Sequence, residues 1–139
     1  MADQTPENAP RSLVLRVVTM PRDTNPYGTI FGGVILSYVD QAAMLEALNH
    51  AHCTWVTASM ERVDFLAPVQ LGDIVELYTR TTRIGTKSVT VGVEVEARRH
   101  ASGERARVTQ ATVTMVSLDE KGRPTPFKQA PPPRSRGLG

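Results

Sequence analysis

Residues Phe31 to Asn49 constrain this chain more than any other stretch. Val34, Ile35, Leu36, Tyr38, Val39, Ala42, Ala43, Met44, Leu45, Ala47 and Leu48 surround nearly the whole circumference of a helix. A helix that is apolar on nearly all sides needs cover on nearly all sides. Such a helix would run about 28 Å, the width of a small domain. The chain has 139 residues, one domain's worth. The cover must therefore come from the segments on either side.

Those segments have a period of two. Leu13, Val14, Leu15, Val17 and Val18 make a β-rich run that starts near Ser12 and stops at Met20-Pro21. The turn residues from Arg22 to Gly28 predict a loop before the helix. After the helix come four strand regions: Trp55 to Leu66 (ended by Pro68), Asp73 to Arg83, Lys87 to Arg99, and Arg105 to Leu118. In the third, Val89, Val91, Val93, Val95 and Ala97 alternate with Thr90, Gly92, Glu94 and Glu96, the pattern of a half-buried strand. Gly72, Gly85 and Gly103 mark turns between successive strands and predict an antiparallel meander. The order is strand, long buried helix, four strands. An α+β fold with an antiparallel sheet wrapped around one helix satisfies both sheet and helix.

Composition sets the boundaries. Hydrophobic residues are 40% and charged residues 22% of the chain, enough for one core in an ordinary globular domain. The net charge of +2 is unevenly placed. Lys121, Arg123, Lys128, Arg134 and Arg136 lie beyond residue 120 with no acid among them, together with Pro124, Pro126 and Pro131 to Pro133. The rest is mildly acidic. A Pro- and Arg-rich stretch of this kind buries too little to offset its ordering entropy. The chain thus divides into a flexible N-terminus (1–11), a folded domain (12–124) and a disordered tail (125–139). The basic balance belongs to the tail, so it does not predict nucleic-acid binding. Met1 to Pro10 lacks the basic start and apolar run of a secretory signal, and no stretch reaches the ~20 apolar residues of a bilayer span. Cys53 is the single cysteine, which suits a reducing compartment. A cytoplasmic protein is expected.

Asp40 is the one carboxylate between Thr24 and Leu45. No cation stands three or four residues away to pair with it. Burying a carboxylate alone is costly, so either Asp40 serves as nucleophile or general base in a dry pocket, or it faces solvent or pairs with an arginine from elsewhere. Gly32 and Gly33 open the same helix. The N–H groups of a helix start lack intrahelical partners and sit at the positive end of the dipole. They suit negative charge on a carbonyl oxygen. Eight residues of helix place the two features roughly 12 Å apart. One carbonyl cannot touch both, so two protomers packed antiparallel would complete a site at a dimer interface. His50 and His52 at the helix end, and His100 in a turn, read as caps on carbonyls. No third ligand accompanies them for a metal. No serine has a nucleophile-elbow context, and there is no phosphate loop or dinucleotide fingerprint.

Asp23 to Asp40, read as Asp-Thr-Asn-Pro-Tyr-Gly-Thr-Ile-Phe-Gly-Gly-Val-Ile-Leu-Ser-Tyr-Val-Asp, resembles the signature of hotdog-fold acyl-CoA thioesterases, in the YciA-like and cytosolic acyl-CoA hydrolase group. The likeness continues through Ser59-Met60, Asp64 to Pro68, Gly72 to Val75 and Ile84 to Ser88, and covers about Leu13 to Pro124. It implies the hotdog fold, with hydrolysis of acyl-CoA to a free acid and CoA. Asp40 would match the catalytic carboxylate, Asn25 the asparagine that holds the carbonyl or the water, and Gly32 or Gly33 the carbonyl-polarising N–H. Thr57 or Ser59 would assist Asp40. Gly85, Thr86, Lys87 and Ser88 fall where the family contacts the CoA nucleotide, with Arg62 and Arg83 as further phosphate ligands. The resemblance implies no metal and no cofactor besides the CoA of the substrate, and a dimer that assembles into a hexamer. Pro26-Tyr27 departs from the smaller or polar residues frequent there, which bears on the acyl pocket. The alternative reading is a non-catalytic acyl-CoA-binding or sensing protein on the same fold. A hotdog dehydratase would need a His–carboxylate pair at the helix start, where neither His50 nor His52 lies.

Overall fold

A computed structural model describes residues 3–4 and 10–134. In chain order the elements are β1 (Asp3–Gln4), β2 (Ser12–Val18), a 3-10 turn (Pro21–Asp23), α1 (Gly32–Leu48), β3 (Thr54–Phe65), β4 (Ile74–Ile84), β5 (Ser88–Arg98), β6 (Arg105–Leu118) and a second 3-10 turn (Phe127–Gln129). The sheet is antiparallel throughout, in the order β2–β4–β5–β6–β3, with the two-residue β1 continuing the β2 side of β4. Helix α1 lies across its inner face and touches β2 to β6.

The alternation read along the strands is what makes this core. Val75 and Leu77 of β4, Val89 to Val95 at every second residue of β5, and Val113 and Met115 of β6 are all buried. They meet Ile35, Val39, Ala42, Ala43 and Ala47 of α1. Alanine at three of these five places lets the helix seat close to the strands. Register shifts at Thr57/Ser59, Glu61/Asp64, Thr81/Arg83 and Val95/Glu96 add local bend and twist, which wraps the sheet about the helix. Arg62 sits in one of these shifts with φ 52°. Polar groups inside are satisfied: Thr79 Oγ1 and Thr81 Oγ1 donate to the two Glu46 oxygens at 3.0 and 2.6 Å.

Three expectations are corrected. The strands from β4 to β6 do form a meander, but β3 pairs with β6 (Thr54 opposite Leu118) and not with β4. The free edge of β4 is already taken by β2. The β3–β4 connection runs past the helix start, where Ile30 N donates to Val69 O at 2.8 Å. Second, α1 is not covered all round. Gly33, Ser37, Asp40, Gln41 and Met44 form an exposed stripe, because one sheet of this chain encloses only one side of the helix.

Third, the stretch expected to be a disordered tail is ordered over its first part. Ser117 and Thr125 exchange hydrogen bonds, with Thr125 N donating to Ser117 O at 3.0 Å and Ser117 Oγ to Thr125 O at 2.6 Å. Phe127 is 6% exposed and packs on Trp55 and His50. One aromatic ring and these backbone bonds offset an ordering cost that the prolines alone would not. Residues 135–139 lie outside the described ones, as does most of the N-terminal segment expected to be flexible; within that segment Asp3 and Gln4 pair with Ile84 and Arg83. No helix among the described residues is long and apolar enough to cross a membrane.

Candidate active site

Helical spacing puts Asp40 on the bare stripe, between Ser37 and Met44. Of the two readings left open for this carboxylate, a dry pocket or a place facing solvent, one chain gives the second: Asp40 is exposed. It does have a partner. Thr57 of β3 donates its hydroxyl to Asp40 Oδ1 in a short hydrogen bond. The same hydroxyl lies 3.5 Å from Met115 Sδ, so Thr57 is fixed between the strand beside it and the carboxylate. Of the two candidates on β3, Thr57 is the one that meets Asp40; Ser59 lies beyond the register shift. Asp40 and Thr57 line a cavity of about 310 Å³ with Gln41, Met44, Trp55 and Val56. Gln41 was not among the residues singled out from the sequence. Its place one residue after Asp40, on the same helical stripe, was the available signal.

The other end of the helix is prepared by the loop before it. Asp23 Oδ2 accepts Met20 N–H at 2.9 Å, and Phe31 N–H donates to Asp23 O at 3.0 Å. The loop thus delivers the chain to the helix start in one orientation. Burial, assisted by the Asp23 charge, raises the pKa of the nearby Tyr38 phenol. Asn25 is the hub of the loop. Its Oδ1 accepts Tyr27 N–H and Thr29 N–H at 2.9 and 3.1 Å, and its Nδ2 donates to Thr29 Oγ1 at 2.8 Å. One Nδ2 hydrogen is all that its side chain has left to offer a substrate.

Gly32 and Gly33 occupy the first two helical positions, where an N–H has no intrahelical acceptor. Phe65 covers Gly32; a Cβ there would come within 3.2 Å of its ring. A Cβ on Gly33 would meet nothing within 4 Å. Beside the helix start is a second cavity of about 410 Å³, walled by Ile30, Ile35, Phe65, Leu66 and Val69. One protomer therefore carries a carboxylate site and an apolar cavity with open N–H donors, at separate places along one helix.

The hairpin between β4 and β5 holds Gly85, Thr86, Lys87 and Ser88. A Cβ on Gly85 would lie 2.7 Å from Ser88 Oγ, so a larger residue there would have to displace the Ser88 hydroxyl. Thr86 and Lys87 are exposed, as is Arg83 at the adjoining end of β4. Arg62 is not brought to this hairpin. It lies at the level of Gly92 across the sheet, in a shallow cavity with Arg80 and Gln110. His50 does not cap the helix through its ring; Nε2 is 2.8 Å from Thr81 Oγ1, because the helix end packs against β4. Burial raises the pKa of the Cys53 thiol. Among the described residues no three His, Cys, Asp or Glu side chains gather as a metal site.

Residues 27–104 match the thioesterase superfamily model. Acyl-CoA thioester hydrolase YciA of Salmonella typhimurium is 40% identical over 127 residues, which is 88% of this chain and 96% of that protein. YciA of Escherichia coli is 40% identical over 86% of this chain and 94% of its own. A hexameric hotdog-fold thioesterase of Campylobacter jejuni superposes with a TM-score of 0.77 at 42% identity, over 81% of this chain and 87% of that one. An acyl-CoA hydrolase of Staphylococcus aureus, solved with butyryl-CoA and CoA, superposes with a TM-score of 0.74 at 31% identity, covering 86% and 71%. That hydrolase has also been solved with alanine in place of an asparagine and of an aspartate, two positions as far apart as Asn25 and Asp40 are here. The chain belongs to the hotdog-fold thioesterase superfamily, among the YciA-type thioester hydrolases.

Proposed function

We propose that this protein hydrolyses acyl-CoA thioesters at a site completed by two copies of the chain. Asp40 of one protomer attacks the thioester carbonyl or takes the proton from an attacking water. In the first route the carbon–sulfur bond breaks as an acyl-aspartyl anhydride forms, and water then hydrolyses that anhydride; in the second the activated water adds directly and the same bond breaks. In both, CoA leaves as its thiolate and takes up a proton from the water, and the acyl group ends as a carboxylic acid. Thr57 holds Asp40 in one rotamer. The N–H groups at the start of the other copy's helix stabilise the oxyanion as it forms, and the apolar cavity beside them takes the acyl chain. Asn25 orders the loop that sets the helix start and offers one Nδ2 hydrogen to the carbonyl or the water.

The observation that carries this reading is the bare stripe on α1. Asp40 and Gly33 share it, neither is covered by its own chain, and they are separated by too much helix to serve one carbonyl from one copy. Antiparallel pairing of two stripes brings each Asp40 to the opposite helix start. The open outer edge of β3, beside the stripe, offers the two copies a backbone ladder as well. The hexameric state named for the Campylobacter jejuni protein, and the CoA ligands named for the Staphylococcus aureus one, support the same assembly and substrate class.

Release of thiol from a panel of acyl-CoAs is the first test. Tight CoA binding with no turnover anywhere on the panel would favour a sensor instead. Complementation tests the shared site. Asp40→Asn and Gly33→Val should each be inactive alone. Dimers formed at random from the two should regain about a quarter of wild-type activity, because half are mixed and each mixed dimer holds one intact site. No recovery in a confirmed mixed dimer would place the site within one chain.

A further inference from the structure

Beyond the hairpin that reaches CoA, we infer that the ordered strap from Thr125 to Gln129 forms the second wall of the nucleotide subsite, with Lys128 as a phosphate ligand. This rests on the CoA reading of the Gly85–Ser88 hairpin. The strap and the hairpin are bonded to each other. Phe127 N donates to Thr86 O at 3.2 Å, and Ser117 N donates to Lys87 O at 3.0 Å. Ser117 Oγ lies between Lys87 O, at 3.2 Å, and Thr125 O. Ser117 is fully buried, so one rigid residue fixes both segments. Between them is a cavity of about 300 Å³, with Ile84, Gly85 and Thr86 on one side and Pro126, Phe127, Lys128 and Gln129 on the other.

Charge also favours this cleft. Arg11, Arg16, Arg99, Arg105 and Arg107 are all held by carboxylates on the sheet or its loops. Lys128 on the strap, Lys87 on the hairpin and Arg83 beside it are exposed and make no ion pair among the described residues. Lys128 lines the cleft, and one lysine open to solvent there, with two more open cations in the adjoining hairpin and strand end, suits the phosphates of a nucleotide. The anchor is also built for the purpose. Phe127 lies under Trp55, with ring centroids 5.6 Å apart, which turns the next residue, Lys128, outward over the cleft. Composition alone would leave this lysine on a free tail, where it would have no fixed place in any site.

The test uses CoA and pantetheine, which lacks the nucleotide, as calorimetric probes of the full-length protein. Lys128→Ala should raise the Kd for CoA about threefold to tenfold, the scale of one partly exposed charge-assisted contact. Pantetheine affinity should not change, and Lys128→Arg should keep most of the CoA affinity. Lys121→Ala removes the same charge from the turn before the strap and should leave both affinities alone. No CoA binding by the wild type, an unchanged CoA affinity in Lys128→Ala, or an equal loss in Lys121→Ala overturns the proposal. Turnover of acyl-CoA by the wild-type sample decides the hydrolase reading separately.

Discussion

The two sides of helix α1 obey different rules. On the sheet side Ile35, Val39, Ala42, Ala43 and Ala47 are buried in one apolar cluster with the strand residues beneath them. On the other side Gly33, Ser37, Asp40, Gln41 and Met44 are exposed. Met44 is 40% exposed, and among the described residues the carboxylate beside it pairs with no cation. The first side is explained by folding. The second is left largely uncovered by its own chain, which under the proposed function leaves it to catalysis and assembly. Substitutions on the two sides should therefore fail differently.

The sharpest separation is expected from Asp40→Asn. It should lower kcat by about a thousandfold, within the range lost with a general base or nucleophile, while thermal unfolding stays unchanged. A normal kcat would remove Asp40 from the chemistry. Leu77→Ala, beneath the opposite side of the helix, should do the reverse. Its cost should be about 2–5 kcal/mol of stability, read by urea unfolding, with kcat retained in the folded fraction. Thr57→Val lies between the two. Losing the hydroxyl that steadies Asp40 should reduce kcat about tenfold and leave KM nearly unaltered. A change in KM alone would mean that Thr57 touches substrate rather than the carboxylate.

The smallest effect concerns the turn that starts the strap. Backbone N–H of Arg123, and that of Lys121, hold the Asp119 carboxyl below its ordinary pKa. A lowered value in the folded state means that the unfolded chain takes up the proton first. The contribution of this turn is complete above the unfolded value and is lost as pH falls through the folded one. Hydrogen exchange at Lys121 and Arg123 should accelerate in that acid window in the wild type, relative to neighbouring strand amides. In Asp119→Asn the same amides should exchange with no added acceleration there.

The sequence made much of this legible. Period-two valines place β5, and the apolar run places α1, to within a residue at each end, because each element is a local pattern. What strands pair with is not local. Nothing in Trp55 to Leu66 reveals that its partner is β6, since that follows from β2 having taken the edge of β4. The spacing of Asp40 identifies its helical stripe but not whether that stripe is covered, which depends on how far one sheet can wrap. The strap was missed for a related reason. Its composition argues for disorder, and a single phenylalanine seated on Trp55 and His50 outweighs the average. Asn25 was legible as a candidate residue, while its three hydrogen bonds within its own loop could be seen only in three dimensions.

The pairing of β3 with β6 also sets an order of events during synthesis. β3 leaves the ribosome before its ladder partner exists, and the whole of β4 and β5 must follow before β6 can reach it. Contacts of such long sequence separation close late and slow folding. Through that interval both edges of β3 stand open, and afterwards one still does. A second copy on the remaining edge would finish what the chain alone leaves undone. Under the proposed pairing, assembly would be the last step of maturation rather than an association of finished parts, and the rate at which new subunits meet would set how long an unguarded strand persists.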